Sequence, residues 1–287
     1  MKRWVNYTVT FAGILSIAIA CSTVPITGRT QLNMISERQL RTTADNHFSE
    51  FMNMVYRENR ELLGTESPQA QAAVESVNRV SRKIIEASGL HQYNWNVVIV
   101  KAAQKYAFVM PNGKIVVFTG ILPVAKTDAG LAAVLGHEVG HVAARHQAER
   151  VSQFLMVQIG LSAVDAALAA NNSKYRGGIG AALGLGAQFG VLLPFSRLHE
   201  SEADHIGLFY MAKAGYDPRE AVALWGRMEE ASGKGPWEFF STHPSPATRQ
   251  ERLTKLLPEA ELYFRDPTRP LPTRIETEGD HKQFPGR

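Results

Sequence analysis

The run His137-Glu138-Val139-Gly140-His141 lies in an apolar stretch whose pattern predicts a helix. Two histidines four residues apart on a helix lie about 40° apart around its axis and one turn apart along it. Both imidazoles can therefore reach one Zn²⁺ at roughly 2.0–2.1 Å, and Glu138 projects between them towards a water on the ion. The remaining protein ligand must come from elsewhere in the chain, which constrains how the chain can fold.

H-E-x-x-H is an arrangement used for the hydrolysis of peptide bonds with zinc. The sequence therefore predicts one Zn²⁺ per chain, held by His137 and His141 and a third ligand. Glu138 is the predicted acid–base group, which takes a proton from water and delivers it to the leaving amine.

The third ligand has several candidates, because a catalytic zinc usually takes three protein ligands and a water. On a continuous helix His146 would point about 140° away from the second motif histidine, so we interpret it as a packing or surface residue. Glu200 is favoured, because Asp204 shares its helix face and can orient a ligand histidine. His199 and His205 flank this pair as rival ligands, and a solvated acidic helix face is the alternative interpretation.

Hydrophobic periodicity predicts a mainly helical α+β domain with a sheet of about three strands beside the metal-binding helix. Helices are predicted over residues 37–63 and 68–87, from about residue 127 through the zinc motif, over residues 197–215 and from residue 245. Strands are predicted at Trp95–Val100, Tyr106–Met110 and Lys114–Thr119.

The last of these strands is a candidate substrate-binding edge, because an extended peptide can add to an exposed strand through main-chain hydrogen bonds. Its residues are Lys114, Ile115, Val116, Val117, Phe118 and Thr119. Such binding carries little sequence information and predicts broad specificity for unfolded segments. The alternative is that this strand lies in the interior of the sheet.

The N-terminus has the pattern of an exported protein. Basic Lys2 and Arg3 precede an apolar run, and the small residues of Ala18-Ile19-Ala20 end at the single cysteine, Cys21. This pattern predicts a signal peptide over 1–20 and lipidation of Cys21, whereas an ordinary secretory peptide is the alternative. The expected organisation is then a tether over 21–36, a peptidase domain over 37–264 and a flexible tail over 265–287.

Two apolar blocks, residues 154–170 and 179–195, flank a polar stretch. Polar residues and glycines interrupt both blocks, so contact with a membrane surface or a flap over the site is favoured over a spanning hairpin. The formal net charge is +4, and removal of Lys2 and Arg3 would leave 29 basic against 27 acidic residues. This small excess, without a basic stripe, gives no support to nucleic-acid binding.

Five motifs occur in an order that resembles a known family. They are Pro25-Ile26-Thr27-Gly28-Arg29, Ala107–Gly113 ahead of a strand ending at Thr119-Gly120, His137–His141, Glu200–Asp204, and Thr242-His243-Pro244 with Arg249. Over about residues 24–262 the chain resembles the bacterial HtpX, BepA and LoiP zinc metallopeptidases, relatives of the CAAX prenyl proteases. BepA has a helical-repeat extension and HtpX has several membrane helices, and neither feature is expected in this chain. The small, lipid-anchored LoiP-like type is therefore expected.

The resemblance implies a role for each site residue. Glu200 is expected as the third zinc ligand in a zincin-type domain, with Asp204 behind the ligands. His243 is expected to face the metal, where it would stabilise the oxyanion or occupy the open zinc position in a resting state. Arg249 is expected to order the loop that carries His243.

The resemblance also implies a zinc metalloendopeptidase that degrades misfolded or stalled envelope and outer-membrane proteins. Because serine follows Cys21, the expected location is the outer membrane, facing the periplasm, with soluble periplasmic or inner-membrane anchored forms as alternatives. Expected partners are unfolded polypeptides, the membrane through the lipid anchor, and outer-membrane assembly machinery. Two other functions stay open: a zinc-stabilised chaperone or assembly factor with dormant proteolysis, and a processing enzyme for one membrane substrate.

Overall fold

The computed structural model describes residues 21–58, 60–170, 196–232, 243 and 248–272. Within them the helices are α1 (Glu37–Arg57), α2 (Pro68–Ser88), α3 (Leu122–Ala125), α4 (Asp128–Ala143), α5 (His146–Ala170), α6 (Arg197–Lys213), α7 (Arg219–Ser232) and α8 (Arg249–Arg265). The strands are β1 (Cys21–Thr23), β2 (Thr30–Leu32), β3 (Asn96–Val100), β4 (Ala107–Val109) and β5 (Lys114–Phe118). The predicted α+β class, mainly helical with a three-stranded sheet beside the metal-binding helix, is confirmed.

Capping residues start α2 and α4, and stop α2, close to where the sequence predicts, whereas α1 ends at Arg57 and not at residue 63 as expected. The Ser67 hydroxyl accepts a hydrogen bond from the Ala70 amide at 3.1 Å and begins α2, and Gly89, with φ of 69°, ends it. Thr127 begins α4 in the same way, because its hydroxyl accepts a hydrogen bond from the Gly130 amide at 3.0 Å.

Helix α4, which carries the zinc motif, is the centre of the fold. Every residue from Gly130 to Ala143 is buried. A helix that is apolar around its whole circumference must be covered on all sides, and α2, α6, α7 and β4 pack around α4. The metal-binding side chains on α4 therefore lie inside the core.

Glycines let α4 and α6 approach each other backbone to backbone. A Cβ atom at Gly136 would lie 2.7 Å from the Gly207 carbonyl oxygen, and one at Gly140 would lie 2.7 Å from the Ala203 carbonyl oxygen. Small residues four apart thus face each other on both helices, because residues i and i+4 share a helix face. This approach brings the predicted carboxylates of α6 beside the histidines of α4.

Replacing Gly136 with alanine is expected to destabilise the protein, because the new methyl group has no room against α6. We expect the free energy of unfolding to fall by about 1–3 kcal/mol and zinc affinity to fall with it, measured by denaturant unfolding and metal competition. Gly160→Ala is the matched control: a Cβ there meets nothing within 4 Å, so it should stabilise α5 by about 0.5–1 kcal/mol. A Gly136→Ala protein as stable as wild type would contradict this packing.

The strand order in the three-stranded sheet is β3-β5-β4, with β3 parallel and β4 antiparallel to β5. The expectation that Lys114–Thr119 forms an exposed edge is therefore wrong: β5 is paired on both sides, and Thr119 begins a short 3-10 helix. The four residues Ile115–Phe118 are all buried, as a central strand requires. On the side of the sheet next to α4, the edge strand is β4.

The segment 21–36 is ordered, contrary to the expected tether. Strands β1 and β2 pair antiparallel, and the loop between them buries Val24 and Ile26 in the main core. Burial of these two apolar side chains holds the segment on the domain. Cys21 is exposed at the start of β1, whereas the predicted signal peptide and residues 273–287 of the predicted tail lie outside the described residues.

The first apolar block lies in α5, where Val157 and Ile159 are about half exposed. Within the part of the chain that the structure describes, no helix has the length and hydropathy needed to cross a membrane. The second block, residues 179–195, lies outside the described residues. Membrane-surface contact and a flap over the site therefore both stay predictions.

Candidate metal centre

Four buried side chains from distant parts of the chain meet at one point. His137 and His141 come from α4, Glu200 from the first turn of α6, and His243 from the segment before α8. One nitrogen or oxygen atom from each lies within 4.8 Å of the others. Among the described residues this is the one group of at least three histidine, cysteine or carboxylate side chains with that geometry.

The distances between these atoms fit a tetrahedral zinc site. The Nε2 atoms of His137 and His141 are 3.2 Å apart, and each lies 3.3 Å from a carboxylate oxygen of Glu200. Ligands at 2.0–2.1 Å from a tetrahedral ion are about 3.3 Å apart. The donor set of two imidazoles and one carboxylate is that of known catalytic zinc sites, so the residues present fit the metal.

The His243 ring covers the remaining side of this cluster. Its Nδ1 atom lies 3.0 Å from Oε1 of Glu200 and 3.4 Å from Nε2 of His137, about where a fourth ligand would stand. Its Nε2 atom lies 3.6 Å from Oε1 of Glu138. The ring thus contacts both the ligand cluster and the predicted acid–base group.

Glu138 is buried beside the cluster. Burial raises the pKa of its carboxyl group, and a hydrogen bond from the backbone amide of Val109 in β4 partly opposes that rise. Its Oε1 atom has no hydrogen-bond partner among the described residues. A raised pKa and an open acceptor suit a group that takes and returns a proton.

Asp204 and Arg249 lie directly behind His137. The Nδ1 atom of His137 is 2.9 Å from Oδ1 of Asp204, and Nη2 of Arg249 donates to the same oxygen at 2.5 Å. The Arg249 guanidinium lies 3.4 Å from the ring centre of Trp225, with Nη1 3.5 Å from Glu200. Arg249 therefore links the carboxylates of Glu200 and Asp204 to Trp225 on α7. The sequence alone did not indicate that Trp225 belongs to the site.

His146 lies inside the site, contrary to the interpretation as a packing or surface residue. Helix α4 ends at Ala143, and Arg145 adopts a left-handed φ of 54°, so His146 begins a new helix. Its Nδ1 atom lies 2.8 Å from Nδ1 of His141, and its Nε2 atom lies 3.0 Å from Oε2 of Glu202. His146 is outside the group of four possible ligands, as predicted, but the direction predicted for its side chain was wrong because it assumed a continuous helix.

Burial and hydrogen bonding set the charges of His146 and Glu202, which lie behind the ligand His141. Burial lowers the pKa of His146 to about 4, so its ring is neutral at pH 7. Burial alone would raise the pKa of Glu202, but hydrogen bonds from His146 and Arg29 lower it to about 2, so Glu202 is anionic. The rival ligand His199 instead lies 3.0 Å from Glu149, and His205 packs edge-on against Phe209.

This fold and site define a class of protein: a mainly helical zinc metallopeptidase with H-E-x-x-H on a buried central helix. The family model described as "Peptidase family M48" matches residues 71–257. The chain belongs to peptidase family M48 and is a zinc metalloendopeptidase.

Several curated relatives align with most of the chain. It is 36% identical over 243 residues to the Mitochondrial metalloendopeptidase OMA1 of Schizosaccharomyces pombe, covering 83% of this chain and 67% of that protein. Over 260 residues it is 32% identical to the protein of the same name in Saccharomyces cerevisiae, covering 83% of this chain and 70% of the relative. A weaker match is the Beta-barrel assembly-enhancing protease of Yersinia pestis, 26% identical over 181 residues, covering 60% of this chain and 36% of that protein.

These relatives correct the expected location. The stronger matches are mitochondrial enzymes by name, so the expectation of a bacterial outer-membrane lipoprotein facing the periplasm is wrong. They support membership of the M48 family without supporting the LoiP-like type. The motifs were read correctly at the level of the family, whereas the location was inferred from an N-terminus that lies outside the described residues.

Proposed function

We propose that this metalloendopeptidase cleaves unfolded or misassembled polypeptides in protein quality control. The buried convergence of the four zinc-site side chains next to Glu138 carries the proposal. In this proposal, the zinc ion is held by His137, His141 and Glu200. The names of the mitochondrial relatives support a mitochondrial setting for this activity, which fractionation of the host cell would test.

The chain's own groups account for the proton movements of hydrolysis. When bound, zinc polarises the scissile carbonyl and lowers the pKa of water. Glu138 takes the proton of the attacking water through its open Oε1 atom and then delivers it to the leaving amine. His243, whose Nε2 atom faces Glu138, is placed to donate a hydrogen bond to the developing oxyanion.

A second function is favoured by the position of His243. Its Nδ1 atom stands where water would complete the site, which is the arrangement expected if proteolysis is dormant. The chain would then act as a zinc-stabilised chaperone or assembly factor. A defect in living cells that Glu138→Gln fully rescues would favour this function over proteolysis.

The substrate peptide is proposed to pair with β4. Tyr106 and Met110 make the ladder hydrogen bonds to β5, so the backbone groups of Ala107 and Val109 point to the other side, where Val109 meets Glu138. A peptide added there would place its backbone beside the acid–base group. Peptides N-methylated at alternate positions should show a raised KM in one of the two registers, and equal KM values in both would refute strand addition.

Cleavage of an unfolded protein tests the proposed function directly. Casein should be cut by the zinc-loaded protein, and a folded protein of similar size should stay intact, because only an extended chain can pair with β4. Removal of zinc with 1,10-phenanthroline should stop cleavage, and added Zn²⁺ should restore it, measured by gel electrophoresis. Cleavage that persists after the chelator would argue against the proposed site.

The N-terminal predictions also stay proposals. Removal of residues 1–20 and lipidation of Cys21 would add a membrane partner, and the exposure of Cys21 is compatible with such a modification. A peptidase domain over 37–264 would in addition need the β1–β2 segment that packs on it. Mass spectrometry of the mature N-terminus would reveal both cleavage and lipid.

A further inference from the structure

The second ligand histidine is oriented by a hydrogen-bond path different from that of the first. His137 meets a carboxylate directly, because its Nδ1 atom lies 2.9 Å from Asp204. His141 instead meets the imidazole of His146, at 2.8 Å between the two Nδ1 atoms. The ring nitrogen of a ligand imidazole that does not bind the metal usually donates a hydrogen bond to a fixed acceptor. This hydrogen bond sets the tautomer and the orientation of the ring.

The direction of the hydrogen bonds in this path follows from the chemistry of imidazole. Because Nε2 of His141 faces the zinc position, its proton must be on Nδ1. The Nδ1–H group of His141 then donates a hydrogen bond to Nδ1 of His146. Because that nitrogen is the acceptor, the ring proton of His146 must be on Nε2. That atom lies 3.0 Å from Oε2 of Glu202, an anionic acceptor that completes the path.

Glu202 is held in turn by the loop between β1 and β2. Arg29 donates to Oε2 of Glu202 from Nε at 3.0 Å and from Nη2 at 2.8 Å, and Thr27 donates to Oε1. The same guanidinium donates to both oxygens of Glu149 on α5, at 2.8 and 2.6 Å. Arg29 thus joins α5 to α6 through two nearly buried carboxylates, with the planar fork that suits arginine and not lysine.

We propose that His146 and Arg29 are positioning residues for the zinc ligand His141, and that the loop of residues 24–29 is part of the metal centre. This inference rests on the proposed ligand set. Without Arg29, Glu202 and Glu149 would lose the guanidinium that joins them, and the Glu202 side chain would no longer be held in place. The acceptor that fixes His146, and through it His141, would then be lost.

The test measures zinc affinity by chelator competition and the visible spectrum of the Co²⁺-substituted protein, besides casein cleavage. His146→Ala should weaken zinc binding by about 10–100-fold and shift the Co²⁺ bands. His146→Gln should recover most of the affinity, since its amide can accept from His141 and donate to Glu202. Arg29→Met should weaken zinc binding in the same direction.

The controls separate this inference from the site itself. His47→Ala removes an exposed histidine and Arg79→Gln breaks an exposed ion pair with Asp128, and neither should change affinity or spectrum. If wild type binds no zinc, the proposed site fails. If wild type binds zinc and folded His146→Ala and Arg29→Met match it in affinity and spectrum, the positioning path is refuted; if His146→Ala does not fold, Arg29→Met decides.

Discussion

Replacing Glu138 with glutamine is expected to leave one zinc ion bound per chain and to lower kcat for casein by roughly 10²–10⁴-fold. The amide keeps the shape of the side chain, but it cannot take a proton from water. Within the described residues the other carboxylates with an unpartnered oxygen beside the His137–His141 pair are Glu200 and Asp204. Glu200 is the proposed ligand itself, and Asp204 lies behind the His137 ring, away from the atom that faces the metal. Zinc content is measured by elemental mass spectrometry and kcat by release of labelled peptides.

The matched control for this variant is Glu50→Gln, which makes the same change at an exposed position of α1. It should keep both zinc content and activity. Equal cleavage by Glu138→Gln and wild type would reject the proposed acid–base role. Loss of zinc together with activity in Glu138→Gln would show instead that Glu138 acts on the metal site.

Replacing Glu200 with glutamine is expected to remove zinc binding itself. Glu200 is fully buried, and its two oxygens lie 3.3 Å from the two ligand imidazoles. A neutral amide supplies a weaker ligand and leaves Arg249, whose Nη1 atom lies 3.5 Å away, without part of its counter-charge. Zinc affinity should fall by more than roughly 100-fold. That value is the largest loss typical when a residue that hydrogen-bonds to a ligand, and is not itself a ligand, is replaced.

Two further variants locate this effect. Asp204→Asn should weaken zinc binding less than Glu200→Gln, by about 10–100-fold, because Asp204 acts through His137. Glu230→Gln, at an exposed position of α7, should leave the affinity at the wild-type value. Zinc bound equally well by Glu200→Gln and wild type would remove Glu200 from the proposed ligand set.

The sequence was most informative where the chemistry is local. The spacing of His137 and His141 is a property of one helix, and Ser67, Thr127 and Gly89 act within a turn of the helix ends that they define. Capping and one-turn spacing depend on neighbours in the chain, so they can be read without knowing the fold.

The errors came where long-range packing or backbone strain decides. Arg145 adopts a left-handed conformation that its residue type does not signal, and this break turns His146 towards His141. The order of strands around β5 is a long-range property as well, although the unbroken apolar run Ile115–Phe118 is typical of a strand buried on both faces. Small residues four apart, at Gly136 and Gly140, were the available signal for the close approach of α6.

By itself the sequence determined the pair of zinc-binding imidazoles, the acid–base glutamate between them and the motifs of the M48 family, because each is encoded within a few consecutive residues. Only the tertiary structure decided which strand forms the edge beside Glu138 and that Arg29, near the start of the described chain, reaches the layer behind the ligands. Such contacts join residues far apart in the chain, and they depend on how tightly α4 and α6 pack. Small residues four apart in α4 permit that packing, but they do not specify which helix packs against them.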